Sequence, residues 1–311
     1  MHLSRLPIGV LGLTLATIVS AGGLPTPQQV AAHSYAWIGP YGPPTKENQG
    51  FRMNLGFVVG TEAVAVIDSG YGDPMANEML EQIRRLTDRP VRYVVATNSQ
   101  PHRVPGNGAF KQAGAEVIAA ADAVPRIADE GQAMASAAEG VLGLPSGVIQ
   151  APGVPDRALR GNADLDLGGV TLRLIPVGTA HTAGSLVAEV VEDRVVYAGD
   201  VLYGGRLLAV LPQSRTDGWI AAFDQLGDMG DALFVPGHGT PGPLADFEAS
   251  TDRYLKTLRA HMDAAVAGGR DLQDAIAGLD QTPWRDLADF DALAGRNAQQ
   301  TYIEREAAAF E

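Results

Sequence analysis

Apolar positions along this chain fall into short runs at strand spacing, separated by stretches where they recur every three or four residues. Met53 to Val59 and Ala63 to Asp68 are apolar runs joined by Gly60-Thr61-Glu62, a hairpin signal, and Tyr35 to Ile38 is a shorter strand candidate before them. Pro74 opens a helix to about Leu86, with Met79, Leu80, Ile83 and Leu86 on one face. Val91 to Ala96 is continuously apolar, as a central strand should be, and a short helix from Asn107 to Ala113 leads to a strand at Glu116 to Ala120. The stretch from Ala121 to about Ala163 reads as an Ala-rich helix near 121–140 followed by a long Pro/Gly surface loop. Strands return at Val170 to Val177, Leu186 to Val191, Arg194 to Ala198 and Ala232 to Val235, with a helix near Trp219 to Leu226. Beyond Pro243 the spacing is helical at Ala245 to Ala267, Leu272 to Ala277 and Ala288 to about Phe310.

Two blocks of strands, each finishing with helices, suit an α/β architecture in which two sheets pack face to face with helices outside. Residues 22–50, rich in Pro, Gly and Tyr, read as an N-terminal extension, and 51–311 as one domain that includes the C-terminal helices. The first segment carries Arg5 as its only charge before an apolar run from Leu6 to Val19, which is too short to span a bilayer. Val19-Ser20-Ala21 supplies the small residues of a cleavage site, so residues 1–21 read as a signal peptide and the mature chain as periplasmic or secreted. Pro7, Gly9 and Gly12 argue against an ordinary helix there. The chain has no cysteine and a formal charge of −13, which becomes 22 − 36 = −14 once Arg5 is removed with the leader. Such a surface repels phosphate backbones and speaks against a nucleic-acid partner.

The segment Thr97-Asn98-Ser99-Gln100-Pro101-His102-Arg103-Val104-Pro105-Gly106-Asn107 follows the central apolar strand. Downstream lie Gly178-Thr179-Ala180-His181-Thr182-Ala183-Gly184, then Ala198-Gly199-Asp200, then Pro236-Gly237-His238-Gly239, each at a strand end, while Ile67-Asp68-Ser69-Gly70 lies upstream. In this order the five segments resemble the metallo-β-lactamase superfamily, whose zinc loop reads T-H-x-H-x-D-H and whose fold is a four-layer αββα sandwich. On that frame Asn98 and Gln100 stand where two histidines belong, His102 where an aspartate belongs and Arg103 where the last histidine belongs. Gly56-Phe57-Val58-Val59-Gly60, Ile67-Asp68-Ser69-Gly70 and Val195 to Gly205 are further similar to an exported branch, the quinoprotein relay system zinc metallohydrolases and SoxH-like proteins. That branch implies a periplasmic metallohydrolase associated with quinone-cofactor dehydrogenases.

The resemblance implies His102, His181, Asp200 and His238 as metal residues, with one zinc ion as the expected cofactor, iron possible, and no metal also open. Two amides replace two imidazoles at Asn98 and Gln100, which leaves His102, Asp200 and His238 as the set able to hold one ion. Arg103 opposes this, because a guanidinium stays protonated and cannot ligate. At about 4 Å from a dication and an effective dielectric of about 20 it costs roughly 8 kcal/mol before Asp200 offsets part of it. Either Arg103 points away, or its guanidinium takes the metal's place and pairs with Asp200.

Two functions follow. The first is metal-assisted hydrolysis of an ester, amide, lactam or thioester, with Asn98, Gln100 or Arg103 stabilising the oxyanion or touching substrate. The second is a metal-free binding or accessory protein that takes a small-molecule ligand or docks to a periplasmic dehydrogenase. A weaker third is acid–base catalysis by His181 or His238 poised by Asp200. Each residue also has a plainer role: a lone loop histidine usually bonds backbone, and Asp200 could simply cap a turn. His33 and His261 sit in no motif and read as surface or packing residues.

Overall fold

The computed structural model describes residues 23–310, so the expected signal peptide at 1–21 lies outside the described residues. The first sheet runs in chain order: β1 (Gln28–Gln29), β2 (Ser34–Trp37), β3 (Leu55–Val59), β4 (Val64–Ile67), β5 (Val91–Ala96), β6 (Glu116–Ala120) and β7 (Arg157–Leu159). The second is ordered β12 (Leu233–His238), β11 (Val195–Tyr203), β10 (Ser185–Val190), β9 (Thr171–Gly178), β8 (Ala163–Asp166). Helices α1 (Asp73–Leu86), α2 (Asn107–Gln112) and α3 (Val124–Leu142) follow strands of the first sheet. Helices α4 (Thr216–Leu226), α5 (Ala245–Phe247), α6 (Tyr254–Ala267), α7 (Leu272–Ala277) and α8 (Phe290–Ala308) accompany the second.

Side chains alternating on each strand divide the core into layers. Ala65, Ile67 and Val95 face inward with Leu172, Leu174, Leu186 and Val235 of the other sheet. Val64, Val66 and Val94 face outward onto Met75, Met79, Ile83 and Phe110 of α1 and α2. Across the second sheet Val196 and Ala198 point out to Trp219, Leu255, Leu258 and Ala298, while Val195 and Tyr197 point in. The result is the expected four-layer αββα sandwich, in which each fully buried Val or Ile contributes about 1.5–3 kcal/mol of transfer energy.

Three details differ from the sequence reading. Residues 22–50 are not merely an extension, because β2 pairs antiparallel with β3 and adds β1 beyond it. The supposed surface loop after α3 contains the edge strands β7 and β8; Ala163 and Leu165 turn toward the core while Asp164 and Asp166 stay exposed. Leu86, expected on the buried face of α1, is half exposed, since the helix ends there at Thr87. Among the described residues no helix is long and apolar enough to cross a membrane.

The elements that carry the site all end at one edge of the sandwich. β4 ends at Asp68, whose backbone is left-handed (φ 62°), an uncommon conformation that Asp tolerates better than most residues. β11 changes register against β12 on both sides of Gly199, and this bulge lies next to Asp200. A Cβ on Gly199 would lie 2.4 Å from Thr97 Oγ1, so glycine is required for β5 and β11 to approach there.

Candidate functional site

Asp200, buried within β11, is the hub. Its Oδ2 accepts from Asn98 Nδ2 at 2.8 Å and Arg103 Nε at 3.1 Å, with His102 Nε2 at 3.2 Å. Its Oδ1 accepts from Arg103 Nη2 at 2.6 Å and lies 3.4 Å from His238 Nε2. Arg103 is fully buried, and every N–H of its guanidinium is engaged. Beyond the two bonds to Asp200, Nη1 donates to Asn54 O at 2.7 Å and Asp68 Oδ2 at 3.0 Å, and Nη2 donates to Gly237 O at 3.1 Å. A Cβ on Gly237 would lie 2.5 Å from Asp200 Oδ1 and 2.6 Å from Arg103 Nη2, so the β12 backbone closes directly over this ion pair.

Asp68 ties the loop down. It accepts the Thr97 N–H at 2.8 Å and the Thr97 hydroxyl as well as Arg103. Burial pushes its carboxyl up to about 6 despite the opposing charge of Arg103. Burial also works against the charge of Asp200, but Arg103 and then His102 outweigh it and hold that carboxyl well below its usual range. Arg103 itself is held above the ordinary arginine value: burial disfavours its charge, and Asp200 and Asp68 more than offset this.

His238 is a neutral ring with a defined tautomer. Nδ1–H donates to Arg52 O at 2.9 Å, so Nε2 carries the lone pair, and Arg206 Nη1 lies 3.3 Å from it. Its ring stacks on Tyr203 at 5.0 Å. Burial, helped by Arg206, pushes its pKa down to about 3 although Asp200 pulls the other way. His102, the most exposed of the group, also shifts down, through burial first.

The structure thus gathers His102, Asp200 and His238, whose ligand atoms lie within 4.8 Å of one another. His181 stands apart from that set: its ring meets the edge of Trp219 at 5.1 Å and lies 6.0 Å from Tyr203, and its Nδ1 is buried without a partner. Burial pushes it down to about 4. The oxyanion role expected of Arg103 is not open to it, since all five of its N–H groups already serve Asp200, Asp68 and backbone carbonyls. Asn98, by contrast, gives one amide N–H to Asp200 and keeps the second. Gln100 differs: its Nε2 is buried and has no partner.

By spacing alone the trio could hold an ion. The bonding does not suit a divalent one. A carboxylate offers about four lone-pair positions, and those of Asp200 already face Asn98, His102 and two guanidinium nitrogens. A dication about 4 Å from Arg103 would be opposed by roughly 8 kcal/mol at an effective dielectric of about 20. Arg103 cannot withdraw without leaving two buried carboxylates unpaired. Of the two positions open to Arg103, the paired one is observed.

Sequence reasoning missed Asn54, Arg52, Arg206 and Asp289. Asn54 receives Arg103 through its carbonyl and, with its amide, binds Pro236 O at 2.9 Å and Gly239 O at 2.7 Å. Asp289 pairs with both Arg52, at 2.6 Å, and Arg206, which also reaches His238. Nothing in the sequence marks these residues except the position of Arg206 just after the Val195 to Gly205 segment.

These charges fix a pH response. His181 and His238 are neutral when folded but take protons near 6.5 when unfolded, so their contribution is present above that pH and lost as pH falls toward about 4 and 3. Asp68, raised to about 6, has the opposite sign and offsets one of them. His102 and Asp200, also shifted down, act in the same direction as the two histidines, so stability should fall by on the order of 1–3 kcal/mol per unit between pH 6 and 4. Urea denaturation midpoints across that range check this; a flat profile would contradict the neutral, buried histidines.

A sequence model described as the metallo-beta-lactamase superfamily matches residues 50–238. Among solved structures, a metallo-beta-lactamase from Pontibacter korlensis is similar, with 19% identity and a TM-score of 0.57 over 74% of this chain and 98% of that one. A search of curated proteins finds no match.

Proposed function

The chain belongs to the metallo-β-lactamase superfamily, and on that premise we propose that it is a metal-independent member whose cleft binds a small anion in a periplasmic or secreted setting. Membership supports a hydrolase-like function in general terms. One observation carries the finer reading: the Arg103 guanidinium holds both oxygens of Asp200 and supplies internally the positive charge an ion would bring. Among the motif residues, His102, Gln100, the second amide N–H of Asn98 and Nδ1 of His181 keep capacity for a ligand. His102 is partly exposed, and the unpartnered Nε2 of Gln100 is a donor suited to an anionic or carbonyl oxygen. Docking to a periplasmic dehydrogenase remains part of this proposal, on the strength of the sequence resemblance alone.

Metal content tests the reading. Protein purified without chelator should carry far less than one equivalent of zinc or iron, and its melting temperature should not respond to EDTA. Near-stoichiometric metal that is lost in His238→Ala would overturn it. That outcome would establish the second reading, metal-assisted hydrolysis at His102, Asp200 and His238. The donor spacing and the Nε2 lone pair of His238, fixed by the Nδ1–H bond to Arg52 O but met by Arg206 Nη1 at 3.3 Å, favour that alternative.

A further inference from the structure

Away from the cleft, the loop before Phe51, the start of α1 and the end of α3 enclose a cavity of about 230 Å³. Met75, Leu142, Leu144, Ile149 and the Tyr71 ring give it an apolar wall, and Lys46, Gln49 and the Tyr71 hydroxyl are the polar groups of its lining residues. We infer that this cavity is a second ligand site, for a compact single-ring or branched-chain carboxylate bearing a hydroxyl or N–H beside the carboxylate.

Size sets the first limit. An apolar cavity of about 150 Å³ stays dry and accepts benzene, so this one has room for a ring and a short polar head. The wall is preformed. Asn48 Oδ1 accepts from Thr45 N at 2.8 Å and Gly50 N at 2.9 Å, and its amide donates to Pro43 O at 3.1 Å, which fixes the loop that presents Lys46 and Gln49. Gln49 is held with a left-handed backbone (φ 50°), a conformation that a non-glycine residue keeps only when its surroundings impose it.

The polar groups define the head. Lys46 is exposed and makes no ion pair among the described residues, which suits a carboxylate. Gln49 Oε1 is buried without a partner, a costly arrangement that a ligand O–H or N–H donor would relieve. Mandelate carries one feature for each part of the site: a carboxylate for Lys46, a hydroxyl donor for Gln49 Oε1 and a ring for the wall of Met75, Leu142 and Ile149. Phenylacetate lacks the hydroxyl, and toluene lacks the head altogether.

Calorimetric titration of the full chain with these three probes tests the assignment. Mandelate should bind more tightly than phenylacetate. Lys46→Met should weaken mandelate about tenfold, and Ile149→Trp, which fills the cavity, should abolish binding. Leu142→Phe is a second filling variant, used if circular dichroism shows Ile149→Trp to be unfolded. His238→Ala should leave mandelate affinity unchanged, which separates this cavity from the cleft. No mandelate binding, binding that survives a folded filling variant, or binding lost in His238→Ala would each overturn the site. Toluene binding without mandelate binding would overturn the carboxylate assignment.

Discussion

Arg103→Met should lower the unfolding free energy by about 3–5 kcal/mol, because it leaves Asp200 and Asp68 as uncompensated buried charges. The hydrophobic replacement fills space comparable to the arginine stem, so the loss reports the charge and its hydrogen bonds rather than a cavity. In the variant Asp200 keeps only Asn98 and His102 as close donors, Asn54 O loses its donor, and Gly237 O keeps only the Asn54 N–H. Urea denaturation of both proteins at pH 7 measures the difference. Adding Asp200→Asn to the variant should recover part of the loss, since it removes one of the stranded charges. A loss below about 1 kcal/mol would mean that the pair is solvated or that the guanidinium lies elsewhere, contrary to the bonding described.

Arg103→His should turn a metal-indifferent protein into a zinc-responsive one. The substitution removes the fixed positive charge, frees Oδ1 of Asp200, relieves Oδ2 of one donor while Asn98 and His102 remain on it, and places a fourth donor beside His102 and His238. His238 is already oriented for such a role, with Nδ1–H on the Arg52 carbonyl. The expected result is retention of about one zinc per chain and a melting temperature that rises with added zinc. The gain would be about 2.7 kcal/mol at a hundredfold excess over the dissociation constant. EDTA should reverse it. If the variant is folded yet neither retains zinc nor gains stability from it, Arg103 is not what keeps the ion out.

Much of the fold was legible because strand and helix periods are strong signals where burial is complete. β5 and β6 fall where Val94-Val95-Ala96 and Val117 to Ala120 place them, since both faces of these central segments are covered, while Arg92 at the start of β5 is exposed. β8 was not legible: Ala-Asp-Leu-Asp has one inward and one outward face, but two exposed aspartates make four residues look like loop. β11 runs on past Ala198 to Tyr203 because its bulge at Gly199 lets pairing with β12 resume, a tertiary effect without local trace.

The site was half legible for a related reason. Motif order located Asn98, His102, Arg103, Asp200 and His238, and the other four meet around the Asp200 carboxylate. His181 has the same motif quality but turns its ring onto Trp219, a packing choice that the loop sequence does not encode. Asn54 meets Arg103 through its backbone carbonyl while its side chain bonds the distant backbone of Gly39, Pro236 and Gly239, and Asp289 pairs across the whole length of the domain, so neither has a signature in residue spacing. Whether Arg103 turned in or out depended on whether acceptors waited for all its N–H groups, and two of those acceptors are carbonyls on distant strands.

The Asp289 link changes how the end of the chain should be regarded. Asp289 lies beyond the region matched by the superfamily, at the entrance to α8, yet it grips the arginine that meets His238, and Ala288 bridges Arg206 in parallel fashion. The last helices are therefore a buttress for the edge of the sandwich that carries Asp200 and His238 rather than an appendage behind it. Drift in the sequence of that tail would be felt first at a histidine some fifty residues upstream.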